Sequence, residues 1–382
     1  MTAHIRMLVR LARPSALIIF AMFAATGMAE AGAFEHGARL AQVMIVVVAY
    51  LLFSVVLNDV SDRAIDQVNL IGDGARPLVT RDATAREFHV IAAIAGTIAL
   101  GTGVLLSVQT AAVVAAGLVF SAAYSLRPVR IADRGALASM LLPFGYVAVP
   151  YLVGISSARP SLGAPDVLLA GGLYLGFIGR ILLKDFRDVR GDSLFGKRTF
   201  LVRHGRRWTC VSSAVCWVAG TVTLAVVRNG TGSLAAAHLL YVGVALLLLR
   251  ALSEDRGPRR DERLIAAIAI VGRVTIATLI AHLSMTSAGW SHQAMAMVIG
   301  VLALVGVGQA IVMARQGPAA GRSRAMSAAL DELVAAGAPV EGEVRTAAAT
   351  TVSGPVGARP ADNLSGGVEE IERDHRVVAA SR

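Results

Sequence analysis

The chain has 382 residues, 55% of them hydrophobic, with a formal charge of +10 and a mean hydropathy of +0.64. That apolarity exceeds what a soluble globular protein of this size carries, so bilayer is the expected solvent and the basic balance needs no nucleic-acid partner to explain it. The two cysteines, Cys210 and Cys216, fall in or beside one apolar stretch, where a disulfide framework or a zinc site is out of place, and read as small apolar side chains.

A hydrocarbon core about 30 Å thick takes roughly 20 apolar residues per helix. Ten candidate segments follow along the chain, near Ala16–Ala29, Ala41–Leu57, Phe88–Leu106, Ala111–Leu126, Ala136–Ile155, Val167–Leu183, Trp208–Val227, Leu234–Leu249, Leu264–Leu283 and Ala294–Ala314. Lipid offers no partner to backbone N–H and C=O groups, and these segments lack the two-residue alternation of barrel strands. The expectation is an all-α, polytopic transmembrane bundle of nine or ten helices. The basic start Arg6, Arg10, Arg13 leads into the first segment without a convincing cleavage site before Glu30, so that segment is expected to remain as a helix.

Charge sets the expected orientation. Every second loop is basic: Arg63, Arg76, Arg81 and Arg86; Arg127, Arg130 and Arg134; a run from Lys184 to Arg207; and Arg250 to Arg263, whereas the opposite loops hold only Arg39, Arg159 and Arg228. The positive-inside rule then predicts a multi-pass protein of the cell inner (plasma) membrane with a cytoplasmic N-terminus. After Gln316 the composition turns to Ala, Gly, Ser, Pro and scattered charge, so residues 1–316 read as a membrane domain and 317–382 as a low-complexity cytoplasmic tail, disordered or weakly helical.

The end of the second segment reads Asn58-Asp59-Val60-Ser61-Asp62-Arg63-Ala64-Ile65-Asp66, or N-D-x-x-D-x-x-x-D. On a continuous helix these offsets place Asp59, Asp62 and Asp66 along one face, over about 10 Å. Three like charges on one face repel unless a cation neutralises them, and hard carboxylate oxygens suit Mg²⁺ shared with phosphate. The same spacing returns after the sixth segment at Asp185, Asp188 and Asp192. Two facing clusters with their metals can grip a diphosphate, and neutralising that leaving group makes heterolysis of an allylic C–O bond feasible. Arg76, Arg130, Lys197 and Arg198 are the nearby cations placed to complete the clamp, and each serves equally as a topology determinant.

These residues resemble the UbiA superfamily of intramembrane prenyltransferases, which carry an N-D-x-x-D-x-x-x-D motif after the second helix and a second aspartate motif after the sixth. The resemblance extends to Arg76-Pro77-Leu78-Val79, Tyr124-Ser125 through Arg130, Gly196-Lys197-Arg198-Thr199 and Arg13-Pro14, and covers roughly residues 6 to 285. It implies about nine helices around a lipid-open cavity, and Mg²⁺-dependent ionisation of a prenyl diphosphate attacked by an aromatic or other small acceptor. It implies Asp59, Asp62, Asp66, Asp185, Asp188 and Asp192 as metal ligands, with Asp62, Asp66, Asp188 and Asp192 catalytic and Asn58 beside the diphosphate. Two departures stand out: the tenth segment is an addition, and the second motif is closer to members that prenylate homogentisate or a glycerol phosphate ether than to the hydroxybenzoate type.

Phe53, Phe120, Tyr124, Phe144, Tyr146, Tyr151, Tyr174 and Phe177 lie on segments that reach such a cavity, where an aromatic face stabilises a cation, although packing accounts for most of them. Arg180 and Arg273 sit inside apolar segments and are expected to face the cavity or snorkel, Arg180 being about a turn before Asp185. The glycine runs Gly96–Gly103 and Gly171–Gly179 read as close helix packing. Two other outcomes share the pattern: a UbiA-like terpene cyclase, and a secondary transporter whose acids bind a coupling ion.

Overall fold

The computed structural model describes residues 7–8, 11–64, 66, 77–78, 80, 82–186, 199–227 and 232–318. Among them lie ten long helices: α1 (Pro14–Glu30), α2 (Gly37–Ser61), α3 (Ala85–Leu106), α4 (Val108–Ser125), α5 (Ala136–Ser156), α6 (Ala164–Lys184), α7 (Phe200–Val227), α8 (Gly232–Leu252), α9 (Pro258–Ser287) and α10 (His292–Gln316). Each apolar segment of the sequence is one of these helices. Nine are long and apolar enough to cross a membrane, while α1, at 17 residues, is shorter.

Several helices begin before their apolar segment does. Helix α7 starts at Phe200 rather than Trp208 and α9 at Pro258 rather than Leu264. Their first turns carry Arg203, Arg206 and Arg207, or Arg259, Arg260 and Arg263, which hydropathy reads as loop although the backbone is already helical. Local chemistry marks other boundaries. Pro14 opens α1, where its missing N–H costs nothing, and Thr84 with Glu87 forms a reciprocal capping box at α3.

Helix α5 is not regular. Pro143 removes an N–H from the ladder, and the chain widens to π-helical turns over Phe144–Ala148 before resuming at Val149. The Tyr174 hydroxyl on α6 donates to the Met140 carbonyl at 2.7 Å beside this break, giving that carbonyl a partner from a neighbouring helix.

In contact, α2 packs on α3 and α4, α6 on α7, α7 on α8, and α9 on α8 and α10, while α1 lies between α5 and α9. Lipid is as apolar as leucine, so close contact and interhelical hydrogen bonds hold such a bundle rather than burial from water. The α1–α5 crossing is the tightest expression of this. A Cβ on Gly27 would run into the Tyr151 carbonyl, and one on Gly154 into the Ala24 carbonyl, so the two backbones touch. The glycine runs are less uniform than their composition suggests: Gly172 and Gly179 press on α7, whereas Gly101, Gly171 and Gly176 face open space. Helix α10 turns Met297, Val301, Leu304 and Val305 outward, as a lipid-facing surface does.

At the end away from the aspartates, Ser107 Oγ donates to the Ser156 carbonyl at 2.9 Å and Thr110 shares a 3.0 Å hydrogen bond with Ser156. There Asp166, 2% exposed at its side chain, accepts from Gly163 N–H at 2.6 Å and pairs with Arg159. Cys210 and Cys216 are both free thiols on α7.

Candidate active site

Helix α2 closes at Ser61, and Asp62 occupies its C-cap with φ −99° and ψ 10°. The three acids of the first motif therefore do not lie along one uninterrupted helix, because the chain turns at Asp62 before another helical turn reaches Asp66. Asp59 faces inward, 4% exposed, and pairs with Arg13 at the start of α1. Asp62 accepts from Asn58 Nδ2 at 2.7 Å and from Arg130 Nη2 at 2.8 Å. The same guanidinium donates to the Ser61 carbonyl at 3.0 Å and to Asp133 Oδ2 at 2.5 Å. Arg130 thus satisfies one of the orphan carbonyls of the α2 terminus while neutralising the acid that caps it.

Both arginines hold their acids from an unusual backbone. Arg13 has φ 43° and Arg130 φ 34°, the only non-glycine residues at positive φ among those described. For an L-residue that region costs about 1–2 kcal/mol, and such outliers cluster where the surroundings fix a functional geometry.

The second acidic segment begins on the same end of the bundle. Asp185 follows the 3₁₀ turn Leu182–Lys184 and is 6% exposed, with its near neighbours in the chain Leu183, buried, and Phe186, partly buried, packed in the core beside it. Tyr124, at the end of α4, lies within electrostatic reach of Asp62, Asp185 and Lys184, so the first motif and the start of the second lie at one end of the bundle. Asp188, Asp192, Lys197, Arg198 and Arg76 lie outside the described residues. Among the described residues, no three acidic, His or Cys side chains converge closely enough to hold an ion by themselves.

Aromatic rings run inward from this mouth. Phe120 lies 5.9 Å from Tyr124 and 4.9 Å from Phe144; Tyr146 lies 4.6 Å from Phe20 and stacks on Phe177 at 5.7 Å. The widened turn of α5 carries both Phe144 and Tyr146 into this row. Tyr151 is fully buried near the opposite end and Phe53 packs towards α3, so those two belong to the framework.

An apolar cleft of about 460 Å³, its open mouth included, separates α1, α6, α7 and α9. Phe23, Gly176, Trp217, Leu224 and Ile276 wall it, and Arg180 stands at the end nearer Asp185 with its guanidinium carbon 5.7 Å from the Phe177 ring centroid. Arg180 therefore faces the cleft as its position within an apolar segment required, whereas Arg273 is half-buried on α9. Sequence reasoning did not place Arg13 on Asp59, because that pairing spans 46 positions and leaves no local signal.

The model of the UbiA prenyltransferase family matches residues 17–271. A bacteriochlorophyll synthase 34 kDa chain of Chloroflexus aurantiacus is 31% identical over 153 residues, a match covering 40% of this chain and about half, 48%, of that relative. A digeranylgeranylglyceryl phosphate synthase of Thermococcus gammatolerans is 26% identical over 276 residues, covering 69% of this chain and 95% of that one. Among solved structures, one of a digeranylgeranylglyceryl phosphate synthase superposes with a TM-score of 0.58 at 16% identity, covering 74% of this chain and 99% of that chain. A UbiA homologue from Archaeoglobus fulgidus gives 0.52 at 15% identity, with 71% and 98% covered, which makes the fold common to all three.

Proposed function

Because this chain belongs to the UbiA prenyltransferase family, we propose that it moves a prenyl group from an isoprenoid diphosphate to an aromatic or other small acceptor at the acidic end of its bundle. The observation that carries this reading is that Asp62, hydrogen-bonded to Asn58, and Asp185 both lie within electrostatic reach of Tyr124, at the head of an aromatic-lined interior.

The donor set there is all oxygen, which fits Mg²⁺ and not a soft metal. Asp59, Asp62, Asp66 and Asp185 would hold it, with Asp188 and Asp192 completing the second set. When bound, the ion supplies positive charge against the departing diphosphate. The chain's own groups do the rest. Arg13 and Arg130, now engaged by Asp59 and Asp62, carry N–H groups that can turn to phosphate oxygens, and Arg76, Lys197 and Arg198 belong to the same proposed clamp. The ring faces of Tyr124, Phe120, Phe144 and Tyr146 lie where positive charge develops on the prenyl carbon, and such faces attract cations by about 0.5–2 kcal/mol each. Water is kept from that carbon by the apolar walls.

The tail of the donor fits the cleft between α1, α6, α7 and α9, which leads away from Arg180. A Cβ at Gly176 would meet nothing within 4 Å, so a larger side chain fills the cleft without displacing a helix. Gly176→Leu is expected to shift relative kcat/KM towards shorter prenyl diphosphates by about tenfold, measured as competition between geranyl and geranylgeranyl diphosphates.

Orientation belongs to the same proposal. The arginine-rich end that bears the acids is placed in the cytoplasm of the inner membrane, with residues 1–316 as the membrane domain and 317–382 as a cytoplasmic tail. The deciding experiment is diphosphate release from geranyl, farnesyl and geranylgeranyl diphosphates by the purified chain, with Mg²⁺ or EDTA, with and without hydroxyaryl and glycerol phosphate acceptors. Release that needs both Mg²⁺ and an acceptor is expected. Release without acceptor, with a cyclic product, makes the protein a cyclase; no release under any condition overturns the reading in favour of transport.

A further inference from the structure

Helix α7 kinks at Gly205, whose φ of 79° and ψ of 170° are open almost only to glycine, and the next residue, Arg206, turns back against the end of the bundle. Both terminal nitrogens of its guanidinium are engaged in the plane of the group. Nη1 donates to the Leu252 carbonyl at 2.9 Å and to Asp261 Oδ1 at 3.0 Å, and Nη2 donates to Asp261 Oδ2 at 2.6 Å and to Asp255 Oδ1 at 3.3 Å. The end of α8 and the first turn of α9 thereby fix the plane of the group.

What remains is its face, and that face covers the ring of Phe186, with the guanidinium carbon 5.0 Å from the ring centroid. Phe186 is the residue directly after Asp185, and its ring also packs on the core formed by α7, α8 and α9. The fork to Asp261 joins α7 to α9, whereas the stacked ring belongs to neither helix. It adjoins Asp185 in the chain, an acid that is itself buried at 6% exposure. We propose that Arg206 is a positioning residue, which acts through Phe186 to hold Asp185 where the second acidic segment meets the diphosphate and its metal. The proposal rests on the prenyl-transfer reading above.

The test measures ligand binding directly, apart from turnover. Mn²⁺ binding to the full-length chain in detergent, in the presence of inorganic diphosphate, is followed by electron paramagnetic resonance for wild type, R206M, R206K, F186L and D255N. Outer-shell partners of metal ligands typically alter affinity by about 10–100-fold; R206M and F186L are expected to weaken Mn²⁺ binding by about tenfold, within that range. R206K, which keeps the charge without the planar fork, should fall between, and D255N, whose partner is the exposed rim of the contact, should match wild type. F186L leaves the Asp261 fork intact, so it reports even if R206M fails to fold. Wild-type affinity in F186L together with R206M or R206K overturns the proposal and leaves Arg206 as a tie between helices. Failure of the wild-type chain itself to bind Mn²⁺ with diphosphate overturns the metal-dependent reading, and this inference with it.

Discussion

Asp62→Asn is expected to lower kcat by about 10²–10³-fold, the cost of removing one charge-stabilising group from a preorganised site, while the chain remains inserted and folded. The amide keeps the shape and one acceptor oxygen, so the 2.8 Å contact from Arg130 Nη2 survives as a neutral hydrogen bond. The pair is partly open to solvent, with side-chain exposures of 15% and 14%, so losing its charge should cost stability only about 1 kcal/mol. Asp185→Asn and Asp192→Asn are expected to behave alike, each removing a carboxylate from the second proposed ligand set. Diphosphate release at saturating Mg²⁺, read beside a thermal melt in detergent, separates the outcomes. Activity within a few-fold of wild type in all three variants would falsify the two-cluster proposal.

Gly154→Leu should have the opposite profile and yield no folded protein. Its Cβ alone would collide with the backbone carbonyl of Ala24 on α1, and the neighbouring amide of Met28 stands 3.0 Å away. Backbone cannot swing aside as a side-chain tip does, so α1 must leave α5, and overpacking of this kind costs upward of about 1–3 kcal/mol. Helix α1 also carries Arg13, so the Asp59 contact goes with it. Gly27→Leu meets the Tyr151 carbonyl from the other side and should fail in the same way, whereas Gly32→Ala, with open space around it, should cost only its φ of 68°. Monodispersity on size-exclusion chromatography after detergent extraction reads all three. A monodisperse Gly154→Leu protein would mean that the α1–α5 crossing is looser than described.

The ten helices were legible because lipid enforces them: each must be apolar for most of its length, and composition alone registers that. Where charged residues extend a helix beyond the hydrocarbon, as at Phe200–Arg207 and Pro258–Arg263, the same signal stopped short. The acids announced themselves by repeated spacing, and Arg130 was singled out with them. What spacing could not carry was the turn at Asp62, where Arg130 reaches across 68 positions to that acid. Nor could it carry Arg13 on Asp59 or Arg206 on Phe186, since arginines beside membrane helices are common for topological reasons and their partners are chosen by the fold. Pro143 was visible as a breaker, but not that the chain would widen there and carry Phe144 and Tyr146 into the aromatic row.

Helix α10 lies beyond the stretch matched by the family model, which ends at residue 271, and it has a consequence of simple parity. The Arg315 carbonyl at its last turn accepts from Arg263 Nη1 at 3.2 Å, near the start of α9. Asp261, two residues before, is gripped by Arg206 with the carbonyl of Leu252, so the departure of the chain from α10 and the acidic mouth share a side. With α1 counted among the passes, an even number brings the end of α10 back to the side of the bundle at which Arg13 opens α1. Reporters fused after residue 12 and after residue 318 should therefore light up in one and the same compartment.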